Sequence, residues 1–181
     1  LNPRDNLRFG YRIWSEKKSG LVVKLQTLDA DGQVIEQAAF SELQLDAPVK
    51  MDKLAQMMAN TDGYKVYRAD PVKTTAEAQG WVLKTPVAGF KSMGCYKRPP
   101  AGGGRDDTVQ WIFSDGLASV SLFVQAYDRQ RHAQELMLSM GATQTLARRL
   151  ADKGGDWWLT VVGEVPPQTL KAFAQSLERR K

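Results

Sequence analysis

The sequence predicts an α+β chain: an antiparallel β-sheet C-terminal domain packed by a C-terminal helix, preceded by a partial antiparallel β meander. Three observations carry that prediction. Residues 8–13 alternate polar and apolar positions with the two-residue period of a half-buried strand. "TVQWIFSDGLASVSLFVQAY" places an Asp-Gly turn between two apolar, β-branched and aromatic runs, a strong hairpin signal. "WWLTVVGEVPPQTLKAFAQSL" reads as a strand that turns directly into an amphipathic helix.

In the front meander, Phe9, Tyr11 and Ile13 alternate with Arg8, Gly10 and Arg12. "KKSG" and "DADG" each supply a glycine for a tight turn. Leu21, Val23 and Leu25 share one face of the second strand. Three such strands do not cover their own apolar face, so residues 1–47 are expected to be the closing part of a larger β domain. The chain opens on Leu1 rather than a methionine, and sequence upstream of it is expected. Residues 48–80 read as a linker, with "MDKLAQMMAN" as a short helix and "GYKVYRA" as a short strand.

The second domain is expected over residues 81–181. "GFKSMGCYKR" is a strand and "PPAGGGRDD" a loop, because prolines and consecutive glycines hold neither helix nor strand. "RQRHAQELMLSM" is expected to be a mobile loop or short helix, and "TQTLARRL" pairs with "WWLTVVGE" as a second hairpin. Gly163 lets the chain turn, and Pro166 and Pro167 suit a first helical turn. Leu170, Phe173, Ala174 and Leu177 recur at helical spacing to dock on a sheet. Arg179, Arg180 and Lys181 suit the end of that helix.

Reactive chemistry finds little support. With one cysteine, Cys95, and one histidine, His132, the chain has no internal disulfide and no Cys/His zinc site. His132 lies in a polar segment beside Arg129 and Arg131 and reads as a surface histidine, Cys95 as a partly buried structural thiol. "AGGGR" lacks the Lys-Ser/Thr of a phosphate loop. No catalytic residue, metal or cofactor is expected. The net charge of +5 is uneven: residues 1–47 hold 6 basic and 7 acidic residues, and the remainder 19 and 13. That surplus favours an acidic partner or an anionic surface. Basic and aromatic residues do interleave, but no nucleic-acid recognition motif is present, and nucleic acid is not expected as a partner.

The segments "TPVAGFKSMGCYKRP", "FSDGLASVSLFV" and "VVGEVPPQTLKAFAQSL", in that order, resemble the C-terminal domain of the RseB/MucB family. The meander "YRIW…SGLVVKLQTLDADGQVIEQAAFSELQL" resembles the end of that family's N-terminal domain, which is LolA/LolB-like. The resemblance implies a periplasmic negative regulator of the sigma-E/AlgU envelope stress response. Such a protein grips the periplasmic segment of the membrane anti-sigma factor, RseA or MucA, and shields it from regulated proteolysis. Lipid or lipopolysaccharide signals are implied as the trigger for release.

On this reading Trp111, Phe113 and Phe123 are the expected apolar anchors for the partner segment. Arg148 and Arg149 are their charged neighbours, since aromatic and arginine side chains tend to dominate interfaces. The alternative is a lipid or lipoprotein carrier whose cavity is lined by Phe9, Tyr11, Ile13 and Leu25. An uncovered meander also leaves a homo-oligomer open.

Overall fold

The computed structural model describes residues 1–66, 70–99, 107–132, 134–152 and 154–180. At the front, β1 (Gly10–Ser15), β2 (Val22–Leu28) and β3 (Val34–Ala39) form an antiparallel sheet in chain order. Gly20 and Gly32 take positive φ in its two turns, as "KKSG" and "DADG" require. Pairing Ile13 with Leu25, and Leu25 with Ala38, gathers the apolar side chains on one face. The other face carries a polar ladder. Arg12 Nη1 donates to Gln26 Oε1 at 3.0 Å, and Gln26 Nε2 to Gln37 Oε1 at 2.6 Å.

After this sheet comes α1 (Met51–Ala59), none of whose residues is buried. The short strand expected in "GYKVYRA" does not form over residues 63–66, and residues 67–69 lie outside the described ones. The strand instead follows Pro71, as β4 (Val72–Thr74), where fixed φ suits an extended start. β5 (Trp81–Leu83) comes next.

The second sheet has seven antiparallel strands in the order β4-β6-β7-β8-β11-β10-β9. They are β6 (Lys91–Arg98), β7 (Thr108–Ser114), β8 (Ser119–Ala126), β9 (Leu136–Met140), β10 (Thr143–Asp152) and β11 (Gly155–Gly163). Both expected hairpins, β7–β8 and β10–β11, are present. β9 corrects the expectation of a loop or short helix at "LMLSM": these residues pair with β10 across a two-residue turn at Gly141 and Ala142. Most of the expected glycine-rich loop, residues 100–106, lies outside the described residues.

The core lies between this sheet and α2 (Pro167–Ser176). Val120, Leu122, Leu159 and Val161 point to one face and are fully enclosed. The i, i+3, i+4 stripe of Leu170, Phe173 and Ala174 lies on them. The Phe173 ring sits 4.9 Å from that of Phe113 and 5.5 Å from that of Phe90. Burying a side chain of this size stabilises by about 1.5–3 kcal/mol. Pro167 begins α2 without sacrificing a hydrogen bond, since the first helical N–H groups have no intrahelical partner.

Two sequence expectations at this end are revised. Gly163 has no positive φ; it is glycine because a Cβ there would lie 2.7 Å from the Ser119 carbonyl oxygen. α2 stops at Ser176, and β12 (Leu177–Arg179) pairs antiparallel with β5, so Arg179 is a strand residue and Arg180 follows the strand. Lys181 lies outside the described residues.

The two sheets meet through specific polar contacts. Arg8 Nε donates to Asp115 Oδ2 at 2.7 Å, and Arg8 Nη2 to the Ala88 carbonyl at 3.0 Å. Burial alone would raise the Asp115 pKa. The N–H groups of Ala118 and Leu117, with Arg8, overcome that and hold it below the ordinary carboxylate value. Elsewhere Thr169 Oγ1 donates to the Leu7 carbonyl at 2.8 Å, and the Ala142 N–H to Glu36 Oε2 at 2.8 Å.

Candidate docking surface

β-Strand alternation divides the expected anchors between the two faces of the second sheet. Phe113 and Trp111 point toward α2. Phe113 is 4% exposed and wedged against Phe173, while Trp111 is half-buried beside it, its Nε1 donating to Ser92 Oγ at 2.8 Å. Phe123 occupies the opposite face, where no helix packs. It borders a shallow groove of about 430 Å³ with Leu117, Ser121, Thr143, Val162 and Glu164. Arg148 pairs with Leu159 and so shares the α2 side, whereas Arg149 pairs with Trp158 on the open side. Arg149 lies 4.5 Å over the Tyr127 ring and bonds to Asp156. The five residues therefore do not form one patch.

The open face continues laterally to β9, the edge of the sheet. Every residue of this strand is exposed, with Leu136 at 47%, Leu138 at 51% and Met140 at 70%. The two-residue turn makes Met140–Thr143 a hydrogen-bonded pair, so alternate residues Met137 and Ser139 aim their N–H and C=O groups away from the sheet. No charged side chain or proline guards this edge, in contrast to the usual protection of edge strands. The sequence did carry a signal for it: four apolar residues among the five of "LMLSM", followed directly by a glycine.

The expected cavity residues also separate. Phe9 is buried. Tyr11 is half-buried, and burial, followed by the negative charges of Glu164 and Asp115, raises its phenol pKa. Ile13 is 42% exposed and Leu25 half-buried, on a face that also presents Ala38. A shallow apolar surface of about 370 Å³ runs along Val22, Val23, Leu25, Ala38 and Phe40.

His132 corrects the surface-histidine expectation. It is 9% exposed and stacks on Trp158, with ring centroids 4.8 Å apart and planes 10° from parallel. Its Nδ1 accepts the Asp128 N–H at 2.9 Å, and its Nε2 hydrogen-bonds the Gln125 side chain at 2.9 Å. Burial lowers its pKa, with Asp128 opposing and Arg131 assisting. Packing accounts for all of these contacts. Cys95 is buried in β6, and that burial raises its thiol pKa, the opposite of an activated nucleophile. Among the described residues no His/Cys/Asp/Glu group is arranged to hold a metal, and no helix is long and apolar enough to cross a membrane.

Comparison with known proteins accords with this architecture. Residues 1–58 match the MucB/RseB N-terminal domain and residues 75–178 the MucB/RseB C-terminal domain. The chain is 28% identical to the sigma factor AlgU regulatory protein MucB of Pseudomonas aeruginosa, over 98% of this chain and 54% of that protein. It is 26% identical to the sigma-E factor regulatory protein RseB of Escherichia coli K12, over 97% of this chain and 52% of that protein. It thus spans about half the length of the curated relatives it matches. Among solved structures, MucB in complex with MucA(peri) aligns with a TM-score of 0.74 at 25% identity, covering 99% of this chain and 60% of that one. A crystal structure of MucB aligns at 0.65 and 24%, covering 98% and 55%, a likeness of fold. With both domain models matched in order and the C-terminal one spanning more than half the residues, the chain belongs to the MucB/RseB family.

Proposed function

We propose that this chain is part of a periplasmic, non-enzymatic regulatory protein. It holds the periplasmic segment of a membrane anti-sigma factor of the RseA/MucA type, shields it from regulated proteolysis, and so restrains the envelope stress response. The observation that carries the reading is the unguarded edge of β9 beside the open sheet face. An extended segment can add there as a further strand, its backbone bonding Met137 and Ser139 and its side chains lying along Leu136 and Leu138 toward the Phe123 groove. Masking a cleavage site in this way needs surface and affinity but no reactive group. The relatives support the partner class, since MucB has been crystallised with MucA(peri).

Titrating the chain with a MucA-type periplasmic domain tests the proposal. Saturable binding should weaken at least about tenfold in Met137→Pro, which removes an outward N–H without touching a bond to β10. No binding at concentrations on the order of tens of micromolar would remove the reading.

A second reading, lipid carriage by the front sheet, is favoured by one observation: the apolar strip from Val22 to Phe40 lies open. Fluorescent fatty-acid binding that Leu25→Asp abolishes would support it, and its absence would sink it.

A further inference from the structure

At the end of the second sheet, where the β10–β11 hairpin meets β12, lies a cleft of about 700 Å³. Trp81 and Trp157 form one wall, edge to face with centroids 5.5 Å apart. The Arg179 guanidinium lies over both rings, at 5.1 and 4.5 Å, and its Nη1 donates to the Gln79 carbonyl at 3.0 Å. Leu150 and Leu177 add apolar surface. Two of the lining residues each hold a buried polar atom with no hydrogen-bond partner among the described residues: Arg148 Nε and Trp157 Nε1.

Both of those atoms are obligate donors. A buried donor without an acceptor is costly, so the surroundings are built for something that brings an acceptor. The charge identifies its kind. Among the described residues Arg148, Arg179 and Arg180 make no ion pair, and the carboxylate that lines the cleft there, Glu178, pairs outward with Lys84 at 3.3 Å. A free anion would leave the apolar wall unused, while an acyl chain finds an open cleft rather than an enclosed tunnel. An acidic side chain next to an apolar one fits both halves.

We propose that this cleft seats an Asp or Glu carboxylate of a bound peptide segment, taken by Arg148 Nε and Trp157 Nε1, with the neighbouring apolar side chain against Trp81, Leu150 and Leu177. The proposal rests on the anti-sigma reading for the identity of the segment. It adds a second point of attachment, apart from the β9 edge.

Trp157→Phe tests it most sharply, because it deletes the N–H and keeps an aromatic ring. Arg148→Met keeps the aliphatic stem and deletes the guanidinium. Each variant is titrated, alongside the parent chain, with a MucA-type periplasmic domain and with a version whose acidic residues are changed to Asn and Gln. The expected result is a loss of roughly tenfold or more for Arg148→Met and several-fold for Trp157→Phe, with neither variant weakening the neutralised partner. Equal thermal midpoints exclude unfolding as the cause, and Trp157→Phe carries the test if Arg148→Met does not fold. A parent chain that fails to bind sinks the anti-sigma reading itself. Normal binding that both variants keep overturns only this site. Binding of inorganic phosphate or anionic phospholipid vesicles that depends on Arg148, with partner binding unchanged, overturns the peptide assignment in favour of a phosphate.

Discussion

The two sheets differ in how they treat apolar surface. The seven-stranded sheet and α2 enclose a continuous core, with Phe173, Leu122, Leu159 and Leu170 removed from water. The front sheet has the same strand chemistry, yet Ile13, Val22, Val34 and Phe40 stay exposed on it, as do Met57 and Met58 on α1. The whole chain exposes 13073 Å². A compact protein of 20.2 kDa exposes roughly 8,800 Å². Strand-forming sequence is therefore not enough to close a core. A second layer is needed, and only the second sheet has one within the described residues.

That contrast can be broken or sharpened by mutation. The largest effect is expected from Phe173→Ala, which removes the ring wedged between Phe90 and Phe113. Urea unfolding should show a loss of about 3–5 kcal/mol. Asp115→Asn acts at the joint between the sheets. It strips the Arg8 ion pair of its charge and should cost about 2 kcal/mol in the same assay. A stability unchanged by this substitution would mean that the sheets are only loosely attached. Gly163→Ala forces a Cβ against the Ser119 carbonyl and should cost about 1–3 kcal/mol. Ile13→Ser, on the open face of the front sheet, should stay within about 0.5 kcal/mol. A large loss there would show that the face is covered in solution, and sedimentation would reveal whether by another copy.

A pH series separates the halves in another way. His132 is buried neutral, with a pKa below its ordinary 6.5, so the unfolded state takes up its proton first. Its contribution is fully present above about pH 6.5 and declines as the pH falls through that value. Thermal midpoints should track this in the parent chain and show a flatter acid slope in His132→Gln.

Several local patterns are legible because one stretch holds the whole signal, although the strand expected in "GYKVYRA" does not form over residues 63–66. The Asp115–Gly116 hairpin, the turns at Gly20 and Gly32 and the α2 stripe all depend on neighbours within a few residues. β9 was missed because Leu136, Met137 and Leu138 run together without alternating, and so short a run fits a helix, a loop or a buried strand equally well. β12 was missed because the helical stripe runs through Leu177, and only the distant β5 draws that residue into a strand. His132 looked exposed because its neighbours are charged, while Trp158, which buries it, lies 26 positions away. The site residues were the least legible. Sequence parity shows that Trp111 and Phe113 share a face but not which face meets α2. The cleft assembles positions 81, 148, 157 and 179, whose proximity no local pattern encodes.

The pairing of Trp81–Leu83 with Leu177–Arg179 ties one of the first strands of the second half to its last. During translation, residues 81–83 leave the ribosome long before their partner is synthesised. Trp81 then lacks its Arg179 cover, and the sheet lacks α2 above it. This half should therefore finish folding only once Leu177–Arg179 are available to pair with β5, and a chain cut before Leu177 should remain accessible to chaperones and proteases.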